Sequence, residues 1–111
     1  MNINSMLNHT IEKIILTRDL RIARNLPVHD DNTDVVVSLG SGELFLASFF
    51  SYASIERYRI ENVNSKYFLG GKYFWAKGML LIDNCSKENI HLVVNHIFNE
   101  GNFIEIFIRI N

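Results

Sequence analysis

The stretch from Ser86 to Gly101 constrains the fold most. Ile90, Val93, Val94, Ile97 and Phe98 recur at i, i+3, i+4, i+7 and i+8, a spacing that gathers them into one apolar stripe on an α-helix. Lys87, Glu88, His91, Asn95 and Asn99 take the other side. Ser86 is placed to cap the first turn, its hydroxyl accepting from an orphan amide, and Gly101 sits where a left-handed C-terminal cap is needed. A helix with one apolar side must be covered, and its neighbours in sequence supply the cover. Met79 to Asp83 reads as a short apolar strand. Residues 103–110 alternate, with Ile104, Ile106, Ile108 and Ile110 on one side and Phe103, Glu105, Phe107 and Arg109 on the other. That alternation predicts a second strand whose isoleucine face meets the helix. The last third of the chain is therefore expected to form a strand-helix-strand unit, with a right-handed crossover if its strands lie parallel in one sheet.

Upstream, residues 34–50 read DVVVSL-GSG-ELFLASFF, two β-rich runs joined by a glycine turn, which predicts a hairpin. The second run is apolar on both faces and belongs in the middle of a sheet. A phosphate-binding loop is the other use of such glycines, but here they lead into a strand and no lysine follows. Residues 51–65 suggest a helix capped at Ser51 or Ser54. Tyr67–Leu69 and Lys72–Ala76, separated by Gly70 and Gly71, suggest two short strands whose aromatics belong mainly to the core. At the N-terminus, Leu7, Ile11, Ile14 and Ile15 suggest a helix over about residues 4–20, stopped at the latest before Pro27. The order predicts an α+β fold: a single, mainly antiparallel sheet with two or three helices packed on it. At 111 residues the chain is expected to be one globular domain, residues 1–111, with its α+β core over about 34–110.

Composition narrows the function classes. With 48% hydrophobic and 21% charged residues the chain is ordinary for a globular protein, which excludes general disorder. A formal net charge of −1 provides no overall field to hold a nucleic-acid backbone, so direct nucleic-acid binding is not expected. No apolar run approaches the roughly 20 residues that span a bilayer, and the first residues lack the pattern of a secretory signal. A cytoplasmic protein is expected. A single cysteine, Cys85, cannot form an intrachain disulfide, which fits a reducing compartment.

Motifs for chemistry are sparse. His91 and His96 are five residues apart and face different sides of their helix, whereas a zinc pair uses i and i+4. Asp30, Asp31 and Asp34 crowd one polar loop, but DDNTD lacks the ligand spacing, glycine and distal glutamate of a calcium loop. Neither Cys85 nor any serine sits in a nucleophile motif. No enzyme activity, metal or cofactor is expected.

The segments LFLASFFSYASIE, GGKYFWAKGMLLID and SKENIHLVVNHIFNEGNFIEIFIRI, in this order over residues 34–110, resemble small bacterial immunity proteins of contact-dependent growth inhibition and other polymorphic toxin systems. The resemblance implies a non-enzymatic protein that binds and neutralises one cognate toxin domain, often a nuclease. For such a role the candidate contacts are Asp30, Asp31, Asp34 and Glu43 as an acidic part facing a cationic partner, and Tyr73 and Trp75 as anchors. Two other readings stand beside it. One is a small-ligand-binding or enzymatic domain with an aromatic pocket formed by residues 67–76. The other is a module that self-associates, as a homodimer, through a face of Phe103, Glu105, Phe107 and Arg109.

Overall fold

The computed structural model describes residues 10–20 and 31–111. Among them the chain forms an α+β fold built on one five-stranded sheet. The hairpin is its centre. β2 (Asn32–Leu39) and β3 (Leu44–Ser51) pair antiparallel, from Asn32 opposite Phe50 to Ser38 opposite Leu44. Gly42, at φ +91°, makes the reversal, its N–H donating to the Leu39 carbonyl at 2.9 Å. β1 (Ile11–Leu16) lies antiparallel on the free side of β2, and a 3-10 turn, Thr17–Leu20, follows it.

This corrects the expected N-terminal helix. Over residues 11–16 the pairing with β2 wins; residues 4–9 of the expected helix lie outside the described residues. The physical reason is that the segment IEKIIL satisfies both periods. Its isoleucines are β-branched and favour strands, and Leu16 and Ile14 fall opposite Val35 and Val37, extending the buried face of the hairpin.

The other side of β3 is shared. β4 (Met79–Ile82) runs parallel to Ser48–Ser51, whereas β5 (Ile108–Arg109) runs antiparallel to Phe45–Leu46. The two strands therefore lie one after the other along the same edge and are not parallel neighbours. β3 is paired along both edges, in the central position expected from its apolar run.

α1 (Tyr52–Glu61) continues directly from β3. Ser51 caps it, accepting from the Ser54 amide at 3.1 Å. α3 (Lys87–Glu100) has the expected bounds: the Ser86 hydroxyl accepts from the Asn89 amide at 3.2 Å, and Gly101 closes the helix at φ +86°. Ile90, Val94 and Ile97 join Val35, Val37, Ala47 and Phe49 in one buried cluster, and burying each such side chain contributes about 1.5–3 kcal/mol.

Two further segments depart from the sequence reading. Residues 103–110 are not one strand. Phe103–Ile106 forms a helical turn, α4, and only Ile108 and Arg109 pair with the sheet. In a helical turn Phe103 and Phe107 fall on the same side. Their rings stack at 4.5 Å and meet Phe45, Phe98 and Phe49. The aromatic face is thus buried and Ile104 is 74% exposed, so Phe103 and Phe107 belong to the core and the expected self-association face does not form. Residues 67–76 are likewise not a strand pair. Phe68–Gly71 is a short helical turn, α2, and an irregular segment leads from it to β4.

Candidate partner-binding surface

The α2 segment is built from unusual backbone. Phe68, Leu69, Gly70 and Gly71 all have positive φ, between 52° and 82°. For a residue with a Cβ the left-handed conformation costs roughly 1–2 kcal/mol, so something must hold Phe68 and Leu69 there. Phe68 lies 5.1 Å from the Phe74 ring and 5.4 Å from Tyr73. Phe74 in turn stacks on Tyr58 of α1 at 5.2 Å and meets Phe50 of β3 edge-on. Polar contacts close the approach from α1: Ser65 donates to the Asn62 side chain at 3.0 Å, and its oxygen accepts from the Tyr67 amide at 3.1 Å. Gly71 is required for a second reason, since a Cβ there would lie 2.5 Å from the Arg59 carbonyl oxygen.

The inner aromatics fix the loop, and its other side chains turn outward. Tyr67, Leu69, Tyr73 and Trp75 are each more than half exposed. Lys66, Lys72 and Lys77 are exposed on the same segment. Between α1 and Lys72–Phe74 lies a shallow cleft of about 180 Å³, walled by Ile55, Tyr58, Asn62 and Phe74. Arg59 on its rim is held by Glu56, and the same hydrogen bond lowers the Glu56 carboxyl below its ordinary value. The neighbouring Arg57 bridges to Glu61 at 3.2 Å and lies over the Tyr58 ring.

The acidic residues are not brought together. Asp30 lies outside the described residues. Asp31 is 4% exposed and forms an ion pair with Arg18 at 3.0 Å, so its charge is not offered to a partner. Its backbone is equally engaged: the amide donates to Ser51 Oγ at 3.2 Å, and the carbonyl accepts from the Ser51 amide and from Cys85 Sγ. Asp34 is exposed on the sheet face opposite α3 and accepts from Ser48 Oγ at 2.7 Å. Glu43 sits at the turn end of the hairpin, bound by Arg109 and Ser41. At about 3.3 Å per residue, the register places it roughly 16 Å along the sheet from Asp34.

Tyr73 and Trp75, by contrast, share one exposed loop. Leu69 and the lysines beside them were not singled out by the sequence pattern, and Tyr67 entered only among the aromatics of residues 67–76. Gly70-Gly71 was the available signal, because two adjacent glycines mark backbone that neither strand nor right-handed helix needs. Cys85 is fully buried, and burial, followed by the nearby Asp31 charge, pushes its thiol up to about 11. Such a thiol is a packing group and not a nucleophile.

Among the described residues no three His, Cys, Asp or Glu gather into a metal-sized group, and no helix is long and apolar enough to cross a membrane. Compared with family models, with curated proteins and with solved structures, the chain gives no significant match.

Proposed function

We propose that this protein is a non-enzymatic immunity protein that binds and neutralises a cognate bacterial toxin domain, with the loop Lys66–Lys77 as its docking element. The observation that carries this reading is the exposure of Tyr67, Leu69, Tyr73 and Trp75 on a segment that contains the positive-φ turn Phe68–Gly71 and is tied down by the Phe68 and Phe74 rings, Phe74 packing on Tyr58 and Phe50. Exposed aromatics are costly to leave in water, and a cluster of them on a preorganised segment is what binding hot spots require. Preorganisation also reduces the ordering entropy lost on association. The cleft beside the loop is smaller than the roughly 300–1,000 Å³ of small-molecule sites, so it suits one side chain of a macromolecular partner better than a metabolite.

The acids play a smaller part than their sequence clustering suggests, since Asp31 is neutralised by Arg18. The free charges on the loop itself are lysines, which complement an acidic rim on the toxin domain. Identification of the partner as a toxin, and as a nuclease in particular, rests on the sequence resemblance.

The test is coexpression with the toxin domain encoded beside this gene, followed by titration of the two purified proteins. Growth should be restored by the wild-type chain. Trp75→Ala with Tyr73→Ala should weaken binding by about 2–4 kcal/mol, or at least about thirtyfold, with the far-UV spectrum unchanged. Failure to restore growth, or full affinity in the double variant, would refute the assignment of function or of surface respectively.

A further inference from the structure

We infer that the sheet face opposite α3 is a self-association surface, and that a second copy of this chain is its occupant. Cross-strand register aligns Ile15, Val36, Leu46 and Ile108 in one row over four strands. All four are apolar, and none is fully buried. The rows on either side differ in charge. One carries Lys13, Ser38 and Leu44, and next to Leu44 the Ile110 amide donates to its carbonyl. The other carries Asp34, Ser48 and Met79. Lys13 and Asp34 are both exposed, and neither has an ion partner among the described residues.

This arrangement is self-complementary. A two-fold axis lying along the apolar row places that row on its own copy and turns the Lys13 row of one chain over the Asp34 row of the other. Lys13 on β1 then stands one strand spacing, about 4.8 Å, to the side of Asp34 on β2 of the second copy, across sheets about 10 Å apart. Both side chains reach into that gap. The symmetry makes the ion pair twice, at the two flanks of an apolar centre, and sets Ile110 over Met79. A two-fold contact requires one patch to satisfy itself, and a single cation and a single anion disposed about an apolar row meet that condition. An unrelated partner would have no reason to select both signs on one small face.

Area limits the strength. Four strands by three rows span about 19 Å by 20 Å, or ~400 Å² per copy, about half the standard contribution of one partner to a stable complex. The dimer should therefore form in the micromolar range. Phe50, the next residue after Ser48 on this face, meets Tyr58 and Phe74, so α1 and the loop border the patch; the inference rests on the charge pattern of the sheet and not on the toxin-binding reading.

Sedimentation velocity on the full chain, from about 5 to about 500 μM, should show the average sedimentation coefficient rising from monomer to dimer. Lys13→Glu and Asp34→Lys alter exposed side chains and should each weaken the dimer at least about tenfold by juxtaposing like charges. The Lys13→Glu/Asp34→Lys double variant, which reverses the pair, should restore it. Val36→Arg, which sets two cations face to face on the axis, should abolish it. A monomer at every concentration would overturn the inference. So would a double variant no better than either single one, or a dimer lost on Trp75→Ala and indifferent to the charge changes.

Discussion

Replacing Phe107 by alanine tests the least expected part of the fold. Phe107 is 3% exposed, stacks on Phe103 at 4.5 Å and lies 6.1 Å from the Phe49 ring. Truncating a phenylalanine in such a setting costs about 3–5 kcal/mol, through lost burial and the cavity left among rings that cannot all collapse. A domain of this size is stable by only about 5–15 kcal/mol. At roughly 4 °C per kcal/mol, the midpoint of thermal unfolding should fall by about 12–20 °C. The companion change is Ile104→Ala. Ile104 is 74% exposed, so its loss should stay within about 0.5 kcal/mol. Urea unfolding followed by far-UV circular dichroism measures both, since the exposed Trp75 is a poor reporter of the core. Alternation along 103–110 makes the opposite forecast, with Ile104 in the core. An Ile104→Ala cost above that of Phe107→Ala would refute the helical turn and the stacked pair.

Ser51→Ala should cost about 2 kcal/mol, because the hydroxyl accepts from both the Ser54 and the Asp31 amides and its loss removes a cap and leaves a buried donor unpaired. Comparison of urea midpoints with Ser86→Ala, where only the α3 cap is lost, separates the two effects. Cys85 makes stability depend on alkaline pH. Its thiol, ordinarily near 9.0, is raised to about 11 in the folded chain, so the unfolded chain releases the proton first. The contribution is fully present below about pH 9 and is lost as the pH rises through about 11. Thermal melts over that window should fall more steeply for the wild type than for Cys85→Ala; parallel curves would contradict the shift.

What the sequence determined by itself was local and periodic. Ser86, the apolar stripe and Gly101 specify α3 without help, since cap, spacing and stop all agree. The hairpin around Gly40-Ser41-Gly42 and the central place of β3 were equally legible, the first from the glycine turn and the second from a run too apolar for an edge strand. Of the candidate contacts, Tyr73 and Trp75 were visible as types, but nothing in the string separates them from Phe74, which lies between them and is turned inward against Tyr58 and Phe50.

Tertiary structure decided wherever two periods fitted one segment. IEKIIL could have lain on a helix, and the neighbouring edge of β2 made it a strand. FIEIFIRI could have been a strand, but a helical turn buries two phenylalanines where the strand would bury isoleucines. The larger rings gain more by leaving water and also stack on each other. The acidic cluster dispersed for a similar reason: adjacent residues of a strand point to opposite faces, and Arg18, 13 residues before Asp31, could claim that carboxylate only once β1 and β2 had paired. Local preference sets what each segment can be, and burial against distant neighbours chooses among the options.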